Sequence, residues 1–327
     1  MFMGKMRFGV YINNRAALYL PDLPTTKLLD FAREAEDLGF DSVWVGDSAT
    51  AKPRLEPLIM LSSISAVTKK VKLGTSIFQP HLRNPVWTAL SLASLDIISS
   101  GRLILGTGIG GGPKSDMALE SKVFGIDPTQ RGEQMAESVR LLKQLWTGPV
   151  TISKAPELLG LELQVKPIQK PHPPIWIAAG GHGTLGQRVN PDRLKFAYER
   201  VAALGDGWII APCDPLEYRE AWSLIKERLL ARKRPVDYFG KAMVAWTNVR
   251  ESREDAITEG LEMIRRYYRV EFDKNIIDRT LLGTSEWVIK RLEMYASEGL
   301  EEVILVFHSK DPVYQMRQWA KEIKPSF

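Results

Sequence analysis

Cysteine is almost absent: Cys213 is the only one in 327 residues. A lone thiol excludes a disulfide framework and a cysteine-based metal site, and it suits a reducing compartment. Histidine is scarce too. His81, His172, His182 and His308 are scattered, with no HExxH and no carboxylate at ligand spacing, which argues against a metal hydrolase. No GxSxG nucleophile elbow occurs. The chain lacks any apolar run of about 18 residues, and Met1 to Arg7 carries basic residues without an apolar core of the signal-peptide kind. A cytoplasmic protein with no membrane partner is therefore expected. Charge of one sign is not concentrated either, although the net balance is +5 with a pI near 9.1. The densest basic group (Arg228, Arg232, Lys233, Arg234) ends an expected helix, where cations complement the helix dipole. No zinc-finger spacing or RNA-binding motif is present, so nucleic acid is not expected. A phosphate-bearing cofactor would satisfy the basic balance equally well.

What the chain does have is a repeat of short, β-rich apolar runs. They are RFGVYI from Arg7, SVWVG from Ser42, VKLGTSI from Val71, RLILGTG from Arg102, PIWIAA from Pro174, GWIIA from Gly207, KAMVAW from Lys241 and EEVILVF from Glu301. Near-continuous apolarity marks strands covered on both faces, as in parallel sheets. Helical patterns lie between them. Leu28, Phe31, Ala32, Ala35 and Leu38 keep a helical rhythm that Gly39 stops. Val86, Ala89, Leu90, Ala93 and Ile97 repeat it after Pro85.

Most strand-to-strand steps take roughly 30 to 35 residues, the length of one βα unit. The steps after strands four and seven are about twice as long. The expected fold is a single-domain (β/α)8 TIM barrel over residues 1–327, with insertions after strands 4 and 7; a doubly wound sheet is the alternative. The first insertion holds a Gly-rich loop, a helix from about Gln130 to Trp146, and the segments VTIS and LELQV, which can pair as a hairpin. The second holds helices near Ala256 to Tyr268 and Ser285 to Glu298.

Barrels carry their active sites at the C-terminal ends of the strands. That rule selects Asn13, Asn14, Asp47, Ser48, Ser76 to His81, Thr107 to Lys114, Ala178 to His182, Ala211, Pro212, Trp246 to Asn248 and His308. This rim is rich in small, amide and aromatic residues, suited to a planar ring, and holds no obvious nucleophile–base pair. Gly106, Gly108 and Gly111 formally satisfy GxGxxG. A Rossmann helix must begin at once to receive the pyrophosphate, whereas here the next helix is expected well downstream. Pro113 likewise breaks a near P-loop at Lys114 and Ser115. These glycines read as close backbone approach to a ligand, or else as a mobile loop. Ala178 to Gly181 can form an anion nest, or merely turn the chain.

Six segments taken together resemble the luciferase-like family of flavin- and F420-dependent enzymes. They are FDSVWVGDS from Phe40, KLGTSIFQPHLRNP from Lys72, SLDIISSGRLILGTGIG from Ser94, KPHPPIWIAAGG from Lys170, GDGWI from Gly205 and LLGTSEWV from Leu281. The resemblance spans nearly the whole chain and leans to the F420-using branch through Gly74 to Ile77. It implies a non-proline cis peptide between Ser76 and Ile77 beneath the deazaflavin ring. It further implies ring contacts from Asp47 and Gln79, ribityl contacts from Ile109, Gly110 and Lys114, and phosphate contacts from Ala179, Gly180 and Gly181. F420 is the expected cofactor and FMN the alternative.

The chain departs from the F420-dependent sugar-phosphate dehydrogenases of this family. They have a histidine directly after the second-strand aspartate, where this chain has Ser48, and a glutamate after the fourth strand, where it has Gly111. Their activity therefore does not transfer. His81 is the nearest candidate catalytic acid or base, with a structural role as its rival. Lys52 and Arg54 can meet the polyglutamate tail of F420 or be solvated loop charges. The leading expectation is hydride transfer between F420 and a small organic substrate. The alternatives are a reduced-FMN monooxygenase, which must shield a peroxyflavin from water, and a non-catalytic flavin- or deazaflavin-binding protein. The family often dimerises through helices beside strands two and three, where Leu58, Leu61 and Ile64 can serve a homodimer or the core.

Overall fold

In the computed structural model, the residues described are 5–15, 26–52, 54–111, 114–180, 191–268 and 274–327. The chain runs β1 (Arg7–Tyr11), α1 (Thr26–Asp37), β2 (Ser42–Val45), α2 (Pro57–Val67), β3 (Lys72–Thr75), α3 (Pro85–Ile98), β4 (Leu103–Thr107), α4 (Lys114–Val123) and α5 (Arg131–Thr147). It continues with β5 (Ile175–Ala178), α6 (Pro191–Leu204), β6 (Gly207–Ile210), α7 (Pro215–Ala231), β7 (Gly240–Val249), α8 (Arg253–Tyr268), β8 (Leu281–Gly283), α9 (Ser285–Ser297), β9 (Glu302–Phe307) and α10 (Pro312–Glu322).

Every strand pairing is parallel, and the order β1-β2-β3-β4-β5-β6-β7-β9 closes on itself through β6–β7 and β9–β1. All eight expected strands are present in this (β/α)8 barrel. β8 is an addition: its three residues pair with Thr247 to Val249 at the far end of β7, outside the closed ring. Three residues are too few to show a periodicity, so no sequence pattern announces it.

The barrel interior is filled by tryptophan against glycine. Trp44 and Trp176 pack as a tilted pair, with ring centroids 5.7 Å apart and planes at 34°. A Cβ on Gly74 would sit 2.1 Å from Trp44, and Cβ atoms on Gly207 and Gly240 would come within 2.5 and 2.6 Å of Trp176. At the N-terminal mouth, Glu302 is buried and accepts from the Ser42 hydroxyl, the Trp44 indole and the Arg7 guanidinium. Burial raises its pKa, against the pull of these donors. This end is stabilising machinery, and the opposite mouth is left for chemistry.

Several local expectations are corrected. The segments VTIS and LELQV meet only through Val150, which exchanges backbone hydrogen bonds with Leu161 and Gly160, and no strand pair extends beyond that contact. Gln144 on α5 takes the Thr151 and Ile152 amides and the Ile152 carbonyl, the backbone groups that a ladder would use. A helix also begins at Lys114, soon after the glycines, rather than first near Gln130; its polar sequence KSDMALESKV hides a narrow buried stripe of Met117, Glu120 and Ser121. On α3 the buried face is Ala89, Leu92, Ala93 and Leu95, while Ile97 is 42% exposed. Leu61 and Ile64 are fully buried and Leu58 packs on the same core, so this trio faces inward rather than toward a second subunit.

Candidate functional site

The C-terminal strand ends open into one cavity of ≈ 880 Å³. Tyr11 ends β1, Asp47 follows β2, Ser76 and Ile77 follow β3, Gly108 to Gly111 follow β4, and Ala178 to Gly180 follow β5. Ile209, Val244, Trp246 and Val306 complete the wall from the remaining strands.

Hydrogen bonds fix the polar part of this wall. The Asp47 carboxylate is buried, accepts the Gln79 amide at 2.9 Å and is gripped by both Arg83 Nη atoms at 2.7 and 2.9 Å. A two-pronged guanidinium of this kind fixes both position and orientation. The Gln79 side chain donates to the Asp47 carbonyl and accepts from Arg131, whose guanidinium also meets the Ile109 carbonyl. Beneath it the Ser76–Ile77 peptide is cis, at the bond the resemblance indicated. Ser76 donates its amide to Val45, and Thr75 and Thr107 tie β3 to β4 through their hydroxyls.

Two glycines are required by geometry. Gly110 has φ +75°, and a Cβ there would lie 2.1 Å from the Gln79 side-chain oxygen. Gly180 has φ +80° and would press on the Tyr198 hydroxyl at 2.8 Å. Both conformations favour glycine and bring bare backbone to the cavity. Arg193 and Arg200 of α6 stand on the same side, and the Arg200 Nε is buried without a hydrogen-bond partner.

Asp47, Ser76, Ile77, Gln79, Ile109, Gly110, Ala179 and Gly180 thus share one cavity wall. Lys114 opens α4, but its side chain lies outside the described residues, as does Gly181. Asn14 is structural, holding the Gly46 and Leu55 carbonyls at 2.8 Å each. His81 is buried in a single 3₁₀ turn (Pro80–Leu82) and is not among the lining residues. Burial, then Arg131 and Arg83, push its pKa down to about 4, against a pull from Glu120. His308 is likewise buried and pushed down to about 3 by desolvation. Both are neutral at ordinary pH.

The strand-end rule missed a second polar group. Lys52 is only 7% exposed and lines the cavity, with its ammonium 5.0 Å from the Tyr268 ring. Its pKa falls to about 7, first through desolvation and then through Arg54 and Arg15, while Asp116 and Glu120 oppose the shift. Arg54 reaches the Lys52 carbonyl at 2.7 Å and the Tyr267 hydroxyl at 3.1 Å. Lys52 is buried and Arg54 half-buried, so neither is a freely solvated loop charge. Glu120 was also unforeseen: one carboxylate oxygen accepts from the Ser48 hydroxyl and the amides of Ala49, Thr50 and Ala51. Only the amphipathic stripe of α4 hints at it, because its partners are backbone groups.

Comparison with known proteins decides the family. The luciferase-like monooxygenase model matches residues 6–302. The chain belongs to that family. Among curated relatives of this luciferase-like chain, an F420-dependent glucose-6-phosphate dehydrogenase of Kineococcus radiotolerans is 34% identical over 166 residues, 48% of each protein. A 5,10-methylenetetrahydromethanopterin reductase of Archaeoglobus fulgidus is 28% identical over 254 residues, 77% of this chain and 67% of that protein. Among solved structures, the monooxygenase RslO1 of Streptomyces bottropensis shares the fold with a TM-score of 0.80 at 20% identity, over 98% of this chain and 99% of that one. The match to the glucose-6-phosphate dehydrogenase spans about half of that protein's length.

A flavin-type group fits the residues present. The cavity is of ligand size, Gly108, Gly110 and Gly180 leave no room for side chains beside it, and Arg131 and Arg200 turn unpartnered Nε atoms into buried positions. No helix among the described residues is long and apolar enough to cross a membrane, and no cluster of metal-binding side chains occurs among them.

Proposed function

We propose that this protein is an F420-dependent oxidoreductase acting on a small organic substrate. The observation that carries the reading is the charged character of the cavity. Asp47, Lys52, Arg54, Glu120, Arg131 and Arg200 all line it. Charge-bearing side chains set into an otherwise largely apolar wall suit hydride transfer to a polar substrate better than the dry chamber that oxygenation needs. The F420-dependent dehydrogenase among its relatives supports the same reading. Bound there, the deazaflavin supplies a carbon that gives or takes a hydride, the part of the chemistry a cofactor brings.

The chain's own residues would hold and orient it. Asp47 and Gln79, locked by Arg83 and Arg131, present fixed polar atoms to the ring edge. The Gly180 amide, with Arg193 and Arg200, offers a donor and positive charge to a phosphate, while the Ala179 amide is held by the Ile209 carbonyl. Ile77, Ile209, Val244 and Val306 form the apolar part of the wall and keep water from that part of the ring. His81, buried and neutral outside the lining, is assigned to packing rather than proton transfer.

The test is equilibrium titration with F420 and with FMN, each oxidised and reduced. The expected result is F420 binding at least tenfold tighter than FMN. Preference for reduced FMN, with oxygen uptake on adding substrate, would support a monooxygenase instead. Binding of neither would overturn the cofactor assignment.

A further inference from the structure

A cation buried without a counter-ion is expensive unless a ligand completes it. Lys52 is such a cation. Among the described residues its Nζ makes no hydrogen bond or salt bridge, although its backbone amide donates to Ser48 at 2.8 Å and its carbonyl accepts from Arg54. The nearby acids do not serve it. Glu120 spends one oxygen on the Ser48 to Ala51 loop and keeps the other buried without a hydrogen-bond partner, so it acts on Lys52 only through space, as Asp116 does. The remaining neighbours of the ammonium are the guanidiniums of Arg54 and Arg15 and the ring of Tyr268. Arg54 itself keeps a buried Nε without a partner.

We propose that Lys52 and Arg54 form a receptor for an anionic oxygen group, a carboxylate or phosphate, on a substrate whose body packs against Trp246 and Tyr268. This rests on the cavity being an oxidoreductase's substrate chamber. The receptor is distinct from the phosphate end of the cofactor cradle. Lys52 and Arg54 follow β2, and Arg54 packs beside Tyr11 of β1, whereas Ala179 and Gly180 follow β5, four strands from β1 in either direction round the barrel. An aromatic body is favoured because Trp246 and Tyr268 pair at 5.0 Å on the same wall. An arriving anion supplies the missing counter-charge and so favours the protonated ammonium. Binding should therefore take up a proton near neutral pH and weaken as pH rises through Lys52's own titration. The Tyr11 and Tyr268 hydroxyls are driven above their usual range by burial and do not compete in this window.

Calorimetry with benzoate, phenyl phosphate and the neutral benzamide, with and without F420, tests the proposal. At pH 6 benzoate or phenyl phosphate should bind at least tenfold tighter than benzamide, and whichever binds better identifies the anion. The preference should shrink between pH 7 and pH 9. Lys52→Met should lose at least tenfold in anion affinity, and Lys52→Arg should recover most of it. Equal binding of all three probes, no binding, or an unchanged Lys52→Met variant would overturn the proposal. F420 titration of the same Lys52→Met preparation separates the two readings: a cofactor failure leaves the anion result standing, and normal cofactor binding with no anion preference removes only the receptor.

Discussion

Lys52 carries a folding cost whose dependence on pH can be worked out. In the unfolded chain it titrates near its ordinary 10.5, and in the native cavity near 7. Between those values the unfolded state binds the extra proton, so stability contributed by this site rises with pH. Below pH 7 the full penalty applies, on the order of 5 kcal/mol at 1.36 kcal/mol per pH unit. Lys52→Met should therefore stabilise the protein, raising the urea midpoint at pH 6 clearly more than at pH 9. An equal gain at both pH values would mean that burial of the stem, rather than of the charge, dominates. Such a gain on removing a polar group is the usual mark of a residue kept for function. Individual residues of this kind were the least legible in the sequence. Asp47 could be placed because strand order and the barrel rule put it at the rim. Lys52 could be named but not resolved between solvated charge and ligand contact, since nothing local records that α4 and α8 cover it.

Elements were more legible, in proportion to how regular their patterns are. Strands covered on both faces read as apolar runs, and Asn84–Pro85 and Asp214–Pro215 mark the starts of α3 and α7 by side-chain capping and a proline in the first turn. The glycines facing Trp44 and Trp176 are part of the same regularity, although their pairing needs closure of the barrel to be seen. α4 escaped because it is short, polar and amphipathic only weakly. Its contribution is Glu120, which gathers three backbone amides and a hydroxyl and so shapes the turn bearing Lys52. Burial raises its pKa, but those hydrogen bonds outweigh it and hold the carboxyl below its ordinary value. The stabilisation is present above about pH 4.5 and is lost as pH falls through the lowered native value. Glu120→Ala should destabilise by about 2 kcal/mol and abolish amide-exchange protection at Ala49, Thr50 and Ala51. Glu120→Gln, which keeps an acceptor, should retain most of that protection. Retained protection in Glu120→Ala would mean the turn is held by other contacts.

At the scale of the molecule, the two mouths of the barrel divide the work, and the outer helices carry exposed apolar residues of their own. Glu302, Ser42 and Trp44 lock the N-terminal mouth, while cationic and glycine-rich segments gather at the other. Closure of the sheet was readable from eight evenly spaced βα units, since cover on both faces is shared with a doubly wound sheet. A subunit interface was not, because inward and outward apolar residues look alike in sequence. Leu61 and Ile64 point into the core, but Ile59 and Trp87 are each 69% exposed. They occupy the third position of α2 and α3, neighbouring helices beside β2 and β3. Ile98, 63% exposed at the far end of α3, extends the same apolar character along that helix. Large apolar side chains exposed on adjacent helices are where an association surface is to be sought, if they form one contiguous patch. A two-fold homodimer through this face is the expected assembly, since such interfaces pair one patch with itself. Sedimentation velocity at micromolar concentration should show a dimer. Trp87→Glu would place two like charges across the axis and shift the protein to monomer without lowering F420 affinity. A wild-type monomer at every concentration, or a dimer that survives both Trp87→Glu and Ile59→Glu, would assign the exposed residues to some other contact.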